Sequence, residues 1–401
     1  MNLGRIETAA HRIGGSIKKS QLAYSAALSH LCGNDIYLKL ENSQMTGSFK
    51  ERGALNRILS LSDLECSRGV IAASAGNHGQ GVAFHSTLRG IRAEIWMPRS
   101  TPLVKVTATR GYGAEVVLHG TNYDEAYEAA VERCTELKAS FLHAFDDEDI
   151  IAGQGTIGLE MLHQEPTLDA IVVPIGGGGL IAGIACAVKG LRSNVEIIGV
   201  QTSRLPSMRA ALEHGAPVAI PAEPTLADGI AVRKAGRLTL PLVRQYVDKI
   251  VTVEEEEIAA AILVLIEREK TLAEGAGAVA LAAVLQGRTG HQGKKIGVVV
   301  SGGNLDVNLL ARIIERGLVR DGRRLRLRVK LPDYPGALEG LASVIAKVNA
   351  NIVETQHNRA HYGVSLSETA IDITMETRGR DHADEVRTAL AEGQYQFSVV
   401  E

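Results

Sequence analysis

The sequence lacks the cysteine and histidine patterns of disulfide-stabilised and metal-binding proteins. Its 401 residues include four cysteines, and no two of them form a C-x-x-C pair. Scattered cysteines of this kind indicate reduced thiols in a cytoplasmic protein and not a thiolate metal site. The 12 histidines show no H-E-x-x-H or similar ligand spacing, and we therefore predict no metal site.

Long apolar runs and an excess of one charge are also absent. No run reaches the roughly 18 apolar residues of a membrane helix, and the segment Met1–Lys19 has no continuous apolar stretch. We therefore expect neither a membrane span nor a signal peptide. The net charge of -3 gives no reason to expect nucleic acid or an anionic membrane as a partner. The length predicts two or three domains.

Short apolar runs alternate with helical stretches over residues 1–318. Continuous apolar strands that alternate with helices predict an α/β fold with parallel sheets covered on both faces. In such folds the loops at the carboxyl ends of the strands form the ligand crevice. The predicted strands are Gly69–Ala73, Ala93–Met97, Glu115–Leu118, Ala170–Ile175, Glu196–Gln201 and Lys295–Val300. The clearest predicted helices are Phe49–Leu61, Asp124–Leu137 and Glu254–Glu267.

The pattern changes after residue 318. Residues 319–324 are mostly charged, with one glycine, and predict a linker. Leu325–Leu331 alternates strictly between apolar and basic residues, as a half-exposed strand does. A helix with apolar residues at helical spacing follows, and the order of the later elements predicts a ferredoxin-like βαββαβ unit over residues 325–401. Its remaining predicted elements are the strands Asn351–Gln356, Ser367–Thr377 and Tyr395–Val400 and the helix His382–Ala391.

Lys50 occupies an unusual position for a lysine. Ser48 and Glu51 have the spacing of a capping box, which places Lys50 in the first turn of a helix. The positive end of the helix dipole disfavours a cation there and favours the neutral amine that a Schiff-base lysine needs. The alternative is a surface lysine that happens to lie at a helix start.

Three glycine-containing turns follow three predicted strands. They are Ser74–Gly79, Gly176–Gly179 and Ser301–Asn304. Each presents backbone N–H groups and the start of a helix to an anion. The four consecutive glycines predict a phosphate cradle, because backbone without Cβ atoms can approach phosphate oxygens closely. The alternative is a packing turn.

The type of phosphate ligand follows from the neighbouring residues. A formal dinucleotide motif begins at Gly177, but the next strand ends at Gln201 and not at a ribose-binding acid, which disfavours an NAD-dependent oxidoreductase. A phosphate cradle together with Lys50 favours pyridoxal phosphate. Asn77 is then a candidate partner of the ring hydroxyl and Ser301 of the ring nitrogen, although both residue types are also common in turns.

These motifs together resemble those of the threonine dehydratases, which are pyridoxal-phosphate enzymes of the tryptophan-synthase-β-like fold (fold type II). The resemblance covers about residues 41–318 and implies a catalytic domain over 1–318, with a small subdomain at roughly 45–150 inserted in the large one. It rests on Glu41-Asn42, Thr46–Gly53, Ser74–Gly81, Gly176–Leu180, Ala227–Gly229, Glu274–Ala278 and Ser301–Asn304.

The resemblance implies roles for individual residues. Lys50 holds the cofactor and acts as the catalytic base. The implied cofactor-binding residues are Lys50, Asn77, Gly176, Gly177, Gly178, Gly179, Leu180, Glu274 and Ser301. The implied substrate-binding residues are Thr46, Ser74, Ala75, Gly76, Asn77 and His78. Some relatives bind a cation near a loop like 223–228, which makes Glu223 and Asp228 candidate ligands, with solvated loop acids as the alternative.

The implied reaction is β-elimination from L-threonine to 2-oxobutanoate and ammonia, with L-serine giving pyruvate. Serine at the ring nitrogen allows a neutral pyridine, which suits elimination better than transamination. Serine racemases of this fold carry a second serine where this chain has Ala75, so racemisation is disfavoured. The alternatives are a serine racemase/dehydratase, a 3-hydroxyaspartate dehydratase and, in a different class, a non-catalytic amino-acid sensor.

The C-terminal unit resembles an ACT domain. Such domains commonly bind amino acids between paired copies, which implies feedback control in isoleucine biosynthesis, with isoleucine as the first candidate effector, and a homo-oligomer (dimer or tetramer). The alternative is a dimerisation module without a ligand. The implied effector residues are Asp333, Pro335, Gly336 and Asn351.

Overall fold

The computed structural model describes residues 1–221, 223–358 and 367–400. The chain divides into two compact units, Met1–Leu305 and Asp306–Glu401. Among the described residues, every helix is either too short or too polar to be a candidate membrane span.

The first unit contains two largely parallel sheets. Its strands are β1 (Leu22–Ser25), β2 (Asp35–Leu40), β3 (Val70–Ala73), β4 (Ala93–Met97), β5 (Glu115–Leu118), β6 (Ser140–Phe141), β7 (Ala170–Pro174), β8 (Glu196–Thr202), β9 (Lys249–Val253) and β10 (Lys295–Val300). The larger sheet has the order β1-β2-β10-β7-β8-β9, and only the β1–β2 pair in it is antiparallel. The smaller sheet is parallel throughout, with the order β5-β4-β3-β6.

Helices cover the faces of these sheets. They are α1 (Leu3–Ile13), α2 (Ala26–Cys32), α3 (Lys50–Leu59), α4 (Asp63–Arg68), α5 (Asn77–Thr87), α6 (Leu103–Gly111), α7 (Tyr123–Leu137), α8 (Glu148–Gln164), α9 (Gly179–Leu191), α10 (Ser207–His214), α11 (Thr239–Tyr246), α12 (Glu255–Glu269) and α13 (Gly275–Leu285). Short 3-10 turns lie at Glu41–Ser43 and Asp228–Ile230.

The core explains why the strand predictions succeed. All residues of β3 and β7 are buried, and α9 and α13 are buried over most of their length, because the sheets are covered on both faces. Strands buried in this way have continuous apolar sequences that are recognisable without a structure. The predicted α/β fold with parallel sheets in two groups is confirmed.

The predicted capping box before α3 is wrong. Helix α3 begins at Lys50, and the residue that precedes it, Phe49, makes no side-chain capping bond. Ser48 instead forms an isolated antiparallel bridge with Gly302. The Glu51 carboxylate accepts hydrogen bonds from the backbone N–H groups of Thr46 and Met45, which are further back along the chain. Ser48 therefore pairs with the turn after β10 and does not form the predicted capping box with Glu51.

The second unit contains a four-stranded antiparallel sheet. Its elements are α14 (Val307–Arg320), β11 (Arg324–Pro332), α15 (Ala337–Lys347), β12 (Asn351–Asn358), β13 (Glu368–Glu376), α16 (Arg380–Glu392) and β14 (Gln396–Val399). The order β12-β13-β11-β14 and the alternation of strands with α15 and α16 give the predicted βαββαβ arrangement. Alternating burial along β11 places its leucines and valine in the core.

The boundary between the units lies earlier than residue 318. Helix α14 continues to Arg320, so part of the predicted linker 319–324 is helical. The division by compactness places this helix with the second unit. Glu315 on α14 pairs with Arg326 on β11 at 2.5 Å, and this ion pair joins the helix to the sheet that follows it.

Candidate active site

A cavity of about 1270 Å³ opens in the first unit where β3, β7 and β10 end. It brings together most of the residues that the sequence singled out. The predicted site residues that line it are Lys50, Ser74, Ala75, Gly76, Asn77, His78, Gly176, Gly177, Gly178, Gly179, Leu180, Glu274 and Ser301. Thr46, the remaining predicted substrate residue, is buried, and its main-chain carbonyl accepts a hydrogen bond from Asn304.

The amine of Lys50 lies inside this cavity. Lys50 is the first residue of α3, and its Nζ donates a hydrogen bond to the carbonyl oxygen of Ala144 at 2.9 Å. Burial lowers the pKa of Lys50 to about 8, although the nearby Glu274 carboxyl raises it. A substantial fraction of the amine is therefore neutral near physiological pH, as a nucleophile or a general base requires.

The four-glycine turn leaves no room for side chains. A Cβ on Gly177 would lie 2.4 Å from the ring of Phe145, and one on Gly178 would lie 2.5 Å from Met208 Cε. Gly178 also has a φ of +98°, which favours glycine. The turn opens α9, so its backbone N–H groups lie at the positive end of a helix. This geometry fits a phosphate group.

Asn77 and Glu274 are hydrogen-bonded to each other. Asn77 is the first residue of α5, and its Nδ2 donates to Oε1 of Glu274 at 2.6 Å. Burial, together with the charge of Asp228, raises the pKa of Glu274 to about 8, while Asn77 and two nearby lysines lower it. Glu274 is thus a buried carboxyl group whose surroundings favour its protonated form.

Ser301 lies at the third turn, immediately after β10. Its side chain is 2% exposed, and its Oγ donates to the carbonyl oxygen of Ala276 at 3.2 Å. A hydroxyl group can both donate and accept, so Ser301 can accept a further hydrogen bond or redirect its proton to a ligand.

Two histidines in the cavity wall are neutral. His78 Nε2 lies 2.9 Å from the carbonyl oxygen of Leu142, and burial together with the charge of Lys50 lowers the pKa of His78 to about 3. His143 Nδ1 accepts hydrogen bonds from the backbone N–H groups of Phe145 and Asp146, and burial lowers its pKa. Both rings are therefore fixed hydrogen-bonding groups and not proton donors near neutral pH.

The sequence did not single out two residues that shape this cavity. Phe145 packs on the glycine turn, and Asp146 accepts hydrogen bonds from the backbone N–H groups of Arg237 and Leu238 before α11. Both follow β6, which has two residues. A strand of two residues gives no apolar run that can be recognised in the sequence. Phe145 and Asp146 could therefore not be identified as residues that follow a strand end.

The loop considered for a cation holds an ion pair. Asp228 Oδ2 lies 2.6 Å from Lys105 Nζ, and Glu223 is exposed. Across the three described ranges, no cluster of three or more His, Cys, Asp and Glu side chains is arranged to hold a metal ion. The predicted effector residues lie in the second unit, where Gly336 precedes α15 with a φ of +96° and Asn351 Nδ2 donates to Glu376 Oε2 at 3.2 Å.

The fold and the cavity define an α/β enzyme site with a buried lysine amine and a phosphate-binding turn. Residues 13–302 match the family model described as pyridoxal-phosphate dependent enzyme. The chain belongs to this family, and its cofactor is pyridoxal phosphate.

Two relatives are similar to this chain over almost its entire length. The chain is 48% identical over 400 residues to an L-threonine ammonia-lyase of Thermotoga maritima, and the match covers 100% of both chains. It is 50% identical over 385 residues to an L-threonine ammonia-lyase of Geobacter sulfurreducens, with 96% of each chain covered. Among solved structures, the processed form of threonine deaminase isoform 2 from Solanum lycopersicum aligns with a TM-score of 0.75 and 37% identity, over 78% of this chain and 86% of that one.

Proposed function

We propose that the chain is a carbon–nitrogen lyase that converts L-threonine to 2-oxobutanoate and ammonia, and L-serine to pyruvate and ammonia. The observation that carries this proposal is the Lys50 amine, which shares one cavity with the four-glycine turn and Ser301. The names of the two full-length relatives support threonine as the substrate.

The cofactor fits the residues that are present. The glycine turn Gly176–Gly179, with Leu180 after it, would hold the phosphate, and Lys50 would hold the aldehyde carbon. Asn77 and Glu274 would lie at the ring oxygen side and Ser301 at the ring nitrogen. When bound, pyridoxal phosphate supplies an electron-withdrawing ring that makes a substrate Cα proton more acidic.

Lys50 is suited to take that Cα proton. Its pKa of about 8 keeps a neutral amine available near physiological pH. The hydrogen bond to the Ala144 carbonyl fixes the position of Nζ at 2.9 Å from that oxygen. Once protonated, the same amine can donate its proton later in the reaction, as a general acid. Lys50 is therefore both the attachment point and the base.

The loop 74–78 is suited to bind the substrate carboxylate. It precedes and begins α5, whose first residue is Asn77, so its N–H groups lie at the positive end of that helix. Gly76 leaves open space, because a Cβ there would contact nothing within 4 Å. We assign Ser74, Ala75, Gly76, Asn77 and His78, with Thr46 beside them, to substrate binding.

Elimination is favoured over racemisation at this site. Racemisation needs a second proton donor on the opposite face of the substrate, and Ala75 has no group that can donate a proton. Ser301 in place of an acid allows a neutral ring, which disfavours reactions that need a strong electron sink. A serine racemase/dehydratase and a 3-hydroxyaspartate dehydratase are the alternatives within the class. The complete set of cofactor residues argues against a non-catalytic sensor.

The test is keto-acid formation from L-threonine, L-serine and 3-hydroxyaspartate by the purified holoenzyme, with D-serine measured in parallel. We expect 2-oxobutanoate from threonine at the highest kcat/KM and pyruvate from serine at a lower one. Faster conversion of L-serine to D-serine than to pyruvate, or oxaloacetate formation faster than 2-oxobutanoate formation, would contradict the proposal and select one of the alternatives.

Regulation by an amino acid is a second part of the proposal. The βαββαβ sheet of the second unit supports an ACT-type domain. Of the residues assigned to the effector, Asp333, Pro335 and Gly336 lie in the turn before α15, and Asn351 is the first residue of β12. We propose isoleucine as the effector, in a cytoplasmic homo-oligomer. Calorimetry should detect isoleucine binding, and kcat/KM should change by about 5- to 150-fold, the typical range of allosteric coupling. If isoleucine neither binds nor changes kcat/KM, the regulatory proposal is wrong, and the second unit is a dimerisation module without a ligand.

A further inference from the structure

Asn304 is the last residue of the third glycine turn, and it lines the same cavity as Lys50. Its Nδ2 donates to two oxygens at 2.8 Å, namely the main-chain carbonyl of Thr46 and Oδ1 of Asn77. A longer contact of 3.4 Å reaches Oε1 of Gln80. Asn304 therefore connects the Thr46–Lys50 loop with the side chain of Asn77.

The hydrogen bond to Thr46 fixes which end of the Asn304 amide is the donor. A main-chain carbonyl can only accept, so Nδ2 of Asn304, and not its Oδ1, must face Thr46. The second N–H of the same nitrogen then faces Asn77, which must present its own oxygen. The Nδ2 group of Asn77 is consequently directed to Glu274, at 2.6 Å, and one of its two N–H bonds remains for another acceptor.

The backbone around Asn304 is fitted to its side chain. Gly47 has a φ of +74°, and a Cβ on it would lie 2.4 Å from Asn304 Oδ1. Two backbone hydrogen bonds join the same segments, from Gly303 N to Gly47 O at 2.9 Å and from Phe49 N to Ser301 O at 3.0 Å. Asn304 is thus held in a fixed place relative to the residue that carries the catalytic amine.

We propose that Asn304 is a positioning residue that sets the orientation of the Asn77 amide, so that an N–H of Asn77 and not its carbonyl oxygen faces the ring oxygen of the cofactor. This inference rests on the proposed role of Asn77 in cofactor binding and is independent of the substrate. A flipped amide would place a lone pair against that oxygen and remove a hydrogen bond to a charged acceptor.

Asn304→Asp tests the proposal because an ionised aspartate has the same shape but can only accept hydrogen bonds. We expect Asn77 to flip, the dissociation constant of pyridoxal phosphate to rise at least about tenfold, and the visible absorption of the bound cofactor to shift its pH midpoint. Asn304→Ala removes the amide without adding charge and should give a smaller change in the same direction. If Asn304→Asp does not fold, the same measurements are made on Asn304→Ala.

Asn42→Asp is a matched control. Nδ2 of Asn42 also donates to a main-chain carbonyl at 2.8 Å, that of Leu272, and it does not contact Asn77. Asn42→Asp should therefore show the loss of stability that comes from replacing such an amide by a carboxylate. It should leave the cofactor spectrum and the cofactor affinity unchanged. If Asn42→Asp shifts the spectrum as much as Asn304→Asp does, the proposal is overturned and Asn304 is merely structural.

A double-mutant cycle separates coupling from general damage. In an Asn77→Ala background there is no amide to orient, so Asn304→Asp should weaken cofactor binding no further. An equal additional weakening in that background would overturn the proposal. Because both readouts concern the cofactor alone, failure of the unmodified enzyme to turn over threonine would contradict the proposed function and leave this test intact.

Discussion

Arg52 and Glu41 form a fully buried ion pair, in which Nε and Nη2 of Arg52 lie 2.7 and 2.8 Å from the two carboxylate oxygens of Glu41. Glu160 completes the cluster by accepting from Arg52 and from Lys39. Arg52 follows Lys50 by two residues on α3. The cluster therefore anchors the helix that begins at Lys50, and Arg52 lies outside the residues that line the cavity.

Glu41→Gln should destabilise the protein strongly. Removing one partner leaves the Arg52 guanidinium buried with incomplete charge compensation, and such losses cost about 3–5 kcal/mol. The free energy of unfolding in denaturant measures the effect. Glu213→Gln is the matched control, because Glu213 pairs with Arg209 at an exposed position where the loss is about 0–1 kcal/mol. Equal effects of the two substitutions would show that the buried pair has no special importance.

The same pair predicts a difference in acid sensitivity. Burial disfavours the charged Glu41 carboxyl, but the charge and hydrogen bonds of Arg52 outweigh burial and lower its pKa below the ordinary value of 4.5. Its contribution to stability is therefore complete above pH 4.5 and is lost as the pH falls through the lower pKa of the folded state. The stability difference between the parent protein and Glu41→Gln should shrink below pH 4.5. A difference that grows on acidification would contradict this assignment.

Gly177→Ala should weaken cofactor binding. The new methyl group would lie 2.4 Å from the Phe145 ring, so the ring or the turn must move. Overpacking costs about 1–3 kcal/mol, which corresponds to roughly 5- to 150-fold in the dissociation constant of the cofactor if the loss falls on the bound state. Titration of the apoenzyme with pyridoxal phosphate measures it. Gly15→Ala is the control, because a Cβ at Gly15 meets nothing within 4 Å. Unchanged affinity in a Gly177→Ala protein whose free energy of unfolding is also unchanged would contradict the phosphate assignment.

Capture of the cofactor by the apoenzyme should depend on pH through Lys50. Only the neutral amine attacks an aldehyde, and the pKa of Lys50 is about 8. The rate constant should therefore rise about tenfold per pH unit below 8 and level off above it. Glu274 raises the pKa of Lys50, so Glu274→Gln should move the midpoint to lower pH. A midpoint near the ordinary lysine value of 10.5, or a shift to higher pH in that variant, would contradict this account.

The sequence predicted the fold well where burial is complete or strictly alternating. The strands β4 and β10 have the predicted bounds, because each is buried at all but one position and is largely apolar. Strand β5 also has the predicted bounds, although only Val116 in it is buried. The alternation along β11 likewise placed its core face correctly. The start of α3 was wrong because a long-range bridge between Ser48 and Gly302 competes with the local capping pattern, and such pairing is not visible in neighbouring residues.

In the site, too, features with a local sequence pattern were predicted and features that depend on long-range contacts were not. Lys50, the glycine turns and Ser301 were found because glycine runs and polar residues at strand ends are local signals, and the structure brings them into one cavity. The contacts of Glu274 with Asn77, and of Asn77 with Asn304, join residues about 200 positions apart. Their donor and acceptor directions depend on the fixed carbonyl of Thr46, which only the folded chain places beside them.

The most direct test of the account is the Lys50→Ala variant, compared with Lys105→Ala, which removes another lysine from the cavity wall. Cofactor-loaded proteins are examined for visible absorption, for mass added at residue 50 after borohydride reduction, and for 2-oxobutanoate formed from L-threonine. We predict that the parent and Lys105→Ala proteins retain the absorption band and the added mass, and that Lys50→Ala loses both together with turnover. Retained turnover, or labelling of another lysine in Lys50→Ala, would show that Lys50 is not the residue that binds the cofactor and transfers the proton.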